Sequence, residues 1–435
     1  MRSSTTRMRF GIFARPIAGL LWLLLGAFSP AAAAICAVPF GMVPNGEAIS
    51  RFHAAKDGAL LLATTSRVFR LDGDRLVPIG SDRTLGAIYP GFFSAGDDTL
   101  LIGTAHGVFR RDGDRLVPIG QDTYAGRIMR FYIARDDTLL IGTDNGVFRR
   151  DGDKLVAIGP DQNAGAVQMF VETRDGTLFV GTETTKVGAR QAFGGINLFR
   201  RDGDKLIPIE GSRNTYIFYS YLTDDGTLLL GGGGALYRLD GDRIVRIGAD
   251  QRTGQVTFFH KTRDGALLIG GQEGVFRREG DRLFRLTDVN ETGRIFVFLP
   301  TRDDTLLIDA ERGLFRLRGD DLVRIGDQTY YMRETSDGTV LVGSGHGLLR
   351  LDGDRLVAVG TEQDTGRIEW MRATNGGMLV AAQRGLFRLA DGQLERIEGG
   401  ERVGSMKQGG AVHSMADGAL LIGSEKGLFR LVPCP

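Results

Sequence analysis

The sequence predicts an all-β chain folded as a single β-propeller of about ten four-stranded blades. Three observations carry this: a unit of about 40 residues recurs ten times, each unit divides into four short strands at tight-turn residues, and apolar residues show no three-to-four spacing. Taking the second residue of the Asp-(Gly/Asp) pair as a marker gives positions 58, 98, 137, 176, 226, 265, 304, 338, 377 and 418. The steps between them are 40, 39, 39, 50, 39, 39, 34, 39 and 41, so one unit is lengthened and one shortened.

The third unit shows the pattern in chain order as "RIMRFYIA", "TLLIGT", "GVFRR" and "KLVAIG", separated by "RDD", "DN" and "DGD". Asp, Asn and Gly are the residues hairpin turns demand. The second strand is a continuous apolar run, which places it under cover on both faces and excludes a single solvated sheet. A β-solenoid is the rival architecture, but its coils are shorter, about 20 to 30 residues, and its strands parallel.

The two ends of the repeat array complement each other. The tenth unit, "DGALLIGSEKGLFRLVPCP", lacks a fourth strand, while "CAVPFG" near the N-terminus matches the fourth strand "RLVPIG" of the first two units. Gly41 to Ile49 spans eight residues, as do Gly80 to Ile88 and Gly120 to Ile128. The N-terminal strand therefore completes the last blade in this reading, with Cys36 at the place of Arg75 and Cys434 at the place of Asp74. Those adjacent turn positions predict a Cys36–Cys434 disulfide, since a bridge needs α-carbons roughly 4.4 to 6.8 Å apart. Two free thiols are the alternative. One chain-end closure and no linker between units five and six favour one ten-bladed ring over two five-bladed rings, and ten exceeds the usual four to eight blades.

Residues 1–34 stand apart: four arginines, an apolar run of about twelve residues from Ile17 to Phe28, then "AAAA" ending at Ala34. This is the layout of a secretory signal peptide, and the run falls short of the roughly twenty residues that span a bilayer. The expectation is cleavage near Ala34, a propeller over 35–435, and periplasmic or secreted localisation with no membrane span in the mature chain. Without those four arginines, 50 basic side chains face 53 acidic ones, which gives no reason to expect nucleic acid.

At "DGTLFVGT", "DTLLIGTDNGVFRRDGDKL" and "DGTVLVGSGHGLLRLDGDRL" the chain resembles the two-component regulator propeller repeat, found in the periplasmic sensor portions of hybrid histidine kinases. The resemblance covers all ten units. It implies an extracytoplasmic ligand-sensing propeller, often for carbohydrates. The chain departs from the pattern in carrying Leu, Ile or Val where an aromatic residue commonly precedes Gly-Thr, in its repeat number, and in showing no kinase or regulator segment.

Chemistry is sparse. After Asp151-Gly152-Asp153 the chain offers no further side-chain oxygens, so the cluster reads as a turn and not as a calcium loop. The five histidines, His53, His106, His260, His346 and His413, form no short-range ligand pair, and no cofactor or metal is expected. "GGGG" at 231–234 opens no helix and argues against a phosphate loop. A sialidase-like site would need an arginine cluster with a Tyr nucleophile supported by Glu, and no such arrangement is recognisable.

What remains is recognition on the face that carries the loops leading into the first strand and those joining the second and third. Candidates there are Arg127, Arg294 and Arg367 of the "GRI" motif, Tyr124 and Tyr330 just before first strands, and Lys186, Arg190 and Gln191 of the fourth unit's insertion at 183–197. The arginines read equally as repeat scaffolding, and the insertion equally as a tolerated loop. Inner-strand aromatics such as Phe131, Phe258, Phe296 and Trp370 read as blade packing. The reading is a non-enzymatic exported propeller that binds a small-molecule or glycan ligand, or a periplasmic or membrane protein partner. The alternative is a glycan lyase or hydrolase using the channel mouth.

Overall fold

The computed structural model describes residues 34–41, 43, 46–80, 85–121, 123, 125–159, 165–183, 196–212, 215, 217, 219–404 and 411–435. Among them, strands β1 to β40 in chain order form ten separate four-stranded sheets. In the third blade β10 (Ile128–Ile133), β11 (Leu139–Thr143), β12 (Val147–Asp151) and β13 (Lys154–Ile158) pair as consecutive antiparallel neighbours. All five residues of β11 are buried, as its unbroken apolar run requires.

Ten apolar clusters fill the core, and each joins two neighbouring blades. One packs Leu101, Val108 and Ile119 of blade 2 against Ile128, Ile141 and Phe148 of blade 3. Another packs Leu229 and Leu236 of blade 5 against Ile269 and Phe276 of blade 6. The closing cluster sets Ile49 and Leu62 against Leu421 and Leu428, joining blade 1 to blade 10. Continuous packing from blade 5 to blade 6, together with blade 10 on blade 1, makes one ring and not two.

Blade 10 consists of β38 (Ala411–Ser414), β39 (Leu420–Ser424), β40 (Gly427–Pro433) and β1 (Ile35–Pro39), in the order β1-β40-β39-β38. Cys36 faces Val432 in the same register as Arg75 faces Asp72 in blade 1. The Cys36–Cys434 disulfide is formed, with α-carbons 5.1 Å apart. β1 is also tied to blade 9 through Ala37 N donating to Glu398 O at 2.7 Å and Glu398 N donating to Ile35 O at 2.9 Å.

Arginines of the third strand lock each blade to the next. Arg70 bonds Asp114 at 2.9 Å, Arg110 bonds Asp153 at 3.1 Å, Arg149 bonds Asp204 at 3.0 Å, and Arg200 bonds Asp242 at 2.7 Å. Arg238, Arg277 and Arg316 continue the series to Asp281, Asp320 and Asp354. Every acceptor is the last Asp of the following blade's Asp-Gly-Asp turn, or its equivalent. The series stops around the seam. Blade 9 has Gly392 at the acceptor position, blade 10 has Cys434 there, and Arg388 and Arg430 turn instead to Glu395 and Asp417 of their own blades.

Where the third strand reads Arg-Arg, the second arginine reaches backwards. Arg111 meets Asp57 at 2.8 Å, Arg150 meets Asp97 at 2.9 Å and Arg201 meets Asp136 at 3.1 Å, all with nearly buried arginine side chains. Blade 8 departs from the repeat for a local reason. Its shortened leading loop lacks the Ile that elsewhere packs on the previous blade's Gly, as Ile128 does on Gly103. Asp309 of blade 7 stands in place of that Gly, only 4 % exposed, and accepts Thr329 N of the shortened loop at 2.8 Å.

Candidate functional site at the loop face

The loops leading into each first strand, and the turns joining second to third strands, lie on one face of the ring. Two backbone bonds stitch them together: Glu311 N donates to Arg294 O at 2.8 Å and Arg312 N to Thr292 O at 3.0 Å in blade 7. Gln383 N to Arg367 O at 2.9 Å and Arg384 N to Thr365 O at 3.0 Å repeat this in blade 9. In blade 3 the Arg127 N–H donates to Asp144 Oδ1 at 2.8 Å, and Asp144 N returns a bond to Arg127 O at 3.0 Å. The preceding glycine is required: Gly126 has φ +82°, and a Cβ there would lie 2.1 Å from Asp144 Oδ1.

Two helical turns hold this motif that the missing periodicity did not predict, α1 (Val289–Thr292) and α2 (Glu362–Thr365). α1 is capped by Asp288, whose side chain accepts Asn290 N at 2.7 Å. Thr292 and Thr365 are fully buried, and their hydroxyls bond the carbonyls of Asp288 and Thr361. Asp288 three residues before Glu291 was the legible signal, since that pair marks a helix start.

The motif's backbone is therefore scaffold, while its arginine side chains are not spent on it. Arg127 and Arg294 are exposed, and neither makes an ion pair among the described residues. Arg367 is half-buried beside the nearly buried Glu369, 3.6 Å away, and lies over the Tyr330 ring at 5.9 Å. Tyr330 is 55 % exposed, the most open large apolar side chain among the described residues. The structure thus brings Tyr330 and Arg367 together across blades 8 and 9, whereas Arg127 belongs to blade 3. Tyr124, Lys186, Arg190 and Gln191 lie outside the described residues. His106 and His346 are exposed on second-to-third turns.

The inner strands carry a stack of rings from blade to blade. Phe93 lies on Phe131 at 4.9 Å, Tyr132 on Phe170 at 5.3 Å, Tyr221 on Phe259 at 5.4 Å and Phe258 on Phe298 at 4.5 Å. His53 and His413 take ring positions too, on Phe92 and Phe52. Burial holds both histidines below the usual imidazole range, helped by Arg111 and Arg372 respectively. Phe131 and Phe258 thus pack between blades, and Trp370 packs onto the cluster joining blades 9 and 10. Phe296 departs from that expectation: it is 42 % exposed and is the extra residue of a β-bulge, where the register against the second strand shifts between Ile295 and Val297.

On the opposite face lie the first-to-second and third-to-fourth turns, with grooves of about 490 and 650 Å³ between them. Their arginines are engaged: in the first, Arg318 bonds Asp303 and Arg302 Nη1 donates to Ser336 O. A Tyr–Glu pair lies here, with Tyr132 donating to Glu172 at 3.0 Å. Burial first, then Glu172, pushes the Tyr132 hydroxyl up to about 12, the opposite of what an activated nucleophile needs.

No family model matches the chain, and no curated protein matches it. Solved structures do. The extracellular domain assigned to a one component system from B. thetaiotaomicron is 13% identical over 88% of this chain and 64% of that one, with a TM-score of 0.32. This chain therefore spans less than two thirds of that domain. PorZ, a surface component of the type-IX secretion system of Porphyromonas gingivalis, is 14% identical over 89% of this chain and 69% of that one, with a TM-score of 0.33. Virginiamycin B lyase from Staphylococcus aureus is 9% identical over 92% of this chain and 99% of that one, with a TM-score of 0.30. No helix among the described residues is long and apolar enough to cross a membrane.

Proposed function

We propose that this protein is an exported binding propeller that engages a ligand or partner protein at the loop face around the central opening, without catalysing a reaction. The observation that carries the reading is the group of Tyr330, Arg367 and Glu369 on blades 8 and 9. An exposed ring beneath a guanidinium, itself oriented by a nearly buried carboxylate 3.6 Å away, is a preformed recognition surface. The exposed Arg127 and Arg294 extend the same face. A disulfide that closes the ring suits an oxidising compartment, which supports export with residues 1–34 as the signal peptide.

A thermal-shift screen of the oxidised protein against neutral and charged oligosaccharides and peptidoglycan fragments tests this. A hit is expected to raise the midpoint in proportion to its occupancy, and Tyr330→Ala or Arg367→Gln to abolish that rise. A hit that shifts both variants as it shifts the parent would place binding elsewhere and contradict the reading.

A further inference from the structure

Arginine in this molecule falls into two populations. Those of the third strands are matched with carboxylates almost blade by blade. Those of the inner strands are not: Arg51 in blade 1, Arg130 in blade 3, Arg333 in blade 8 and Arg372 in blade 9 are all exposed. None of the four has an ion pair or side-chain hydrogen bond among the described residues.

Acids on the described inner strands are limited to Glu172, Glu334 and Glu369. Glu172 and Glu334 accept the backbone N–H groups of Arg135 and Arg302 at the turn face, and Glu369 is nearly buried. The inner wall is therefore cationic in a chain whose total charge is near neutral. Arg51 lies along that wall, since a Cβ on Gly91 of the next inner strand would meet its Cδ at 2.8 Å.

The same wall is a row of sheet edges. Among the described residues each inner strand pairs within a sheet on one side only, so its channel side offers backbone N–H and C=O groups without a sheet partner. With packed sheets about 10 Å apart, ten blades give an inner ring roughly 100 Å around and about 30 Å across. That is too wide for side chains to meet across it, and Tyr89, Tyr219, Phe296 and Val297 stay between 42 and 47 % exposed on these strands.

We infer that the channel holds an extended acidic polypeptide segment, which adds its backbone to an inner strand while its carboxylates meet Arg51, Arg130, Arg333 or Arg372. The inference rests on the reading of the protein as a binding module and names the partner. Charge alone would suit any polyanion. The unpaired strand edges single out a polypeptide, because only a peptide backbone matches their repeat and sets its side chains beside those of the inner strand on each sheet face. Arginine supplies forked, charge-assisted bonds to carboxylates at no cost in broken internal pairs.

The test is fluorescence anisotropy of a labelled peptide of about 12 residues alternating Glu and Val, titrated with the oxidised full chain. Binding is expected, with a loss on the order of tenfold or more in the Arg51→Gln/Arg130→Gln/Arg333→Gln/Arg372→Gln protein. The thermal midpoint should be unchanged, because the four make no internal pair. A peptide N-methylated at alternate amides should bind the parent protein on the order of tenfold more weakly. The four arginines changed to Gln one at a time, with the N-methylated peptide, keep the test sound if the quadruple variant fails to fold. No binding, equal binding to the variants, or equal binding of the N-methylated peptide or of alginate overturns the inference. Loss only in Tyr330→Ala would overturn it while leaving the loop-face reading standing.

Discussion

At the residue scale, what an arginine does depends on which strand carries it. Arg150 is typical of the paired population: its side chain donates to Gly152 O at 2.7 Å, Asp97 at 2.9 Å and Thr99 at 3.4 Å, bridging blade 3 to blade 2. Arg150→Met should destabilise the ring by about 1 to 3 kcal/mol, read as a lowered chemical-denaturation midpoint, since a nearly buried charge-assisted set is lost. Arg130→Gln, with no partner to lose, should leave that midpoint in place. Asp309 shows the reverse, a carboxylate taken into the core. Burial pushes its carboxyl above the ordinary 3.8, partly countered by the Thr329 N–H. A raised carboxyl contributes stability that is present below pH 3.8 and lost as the pH rises through its folded value. Asp309→Asn should therefore match the parent at acid pH and exceed its thermal midpoint at neutral pH. A variant less stable at pH 7 would refute this account of the site.

At the scale of elements, the turns were the most legible part of the sequence. In Thr-x-Asp-Gly-Thr the middle Asp side chain accepts both flanking groups: Asp225 takes the Thr223 hydroxyl and then the Thr227 N–H, holding its carboxyl at about 2. Asp303 sits at about 2 for the same reasons, the Thr301 hydroxyl first. A depressed carboxyl contributes stability present above 3.8 and lost as the pH falls toward 2. Thr223→Val should lower the thermal midpoint at pH 7, with the difference from the parent narrowing as the pH falls from 3.8 toward 2. Less legible were α1 and α2, each a single turn too short for periodicity to register. The site was harder still. Arg127, Arg294 and Arg367 share one motif, and the backbone use of "GRI" could not be separated from its side-chain use until Arg367 was seen over Tyr330. Arginine recurs in every unit, so the letters alone do not show which of them are already paired.

At the scale of the molecule, ring closure was readable because each blade predicts the next. Cys434 falls where the Asp of a latch belongs, and its bond to Cys36 joins the third and fourth strands of blade 10, which in other blades are joined by the chain itself. Blade number was readable for the same reason, whereas the directions of the latches, forward from one arginine and back from its neighbour, were not. Sequence places the two side by side but not the blades around them. The bridge closes a separation of 398 residues, for which the chain-entropy model gives about 6 kcal/mol. The latch series already lapses from blade 8 to blade 1, so the opening that follows loss of the bridge should concentrate there. Amide hydrogen exchange of the oxidised protein against the Cys36→Ser/Cys434→Ser variant tests the closed ring most directly. β1, β40 and their contacts in blade 9 should lose protection first, while blades 2 to 7 keep theirs. Unchanged protection in β1, or an equal loss in every blade, would contradict it.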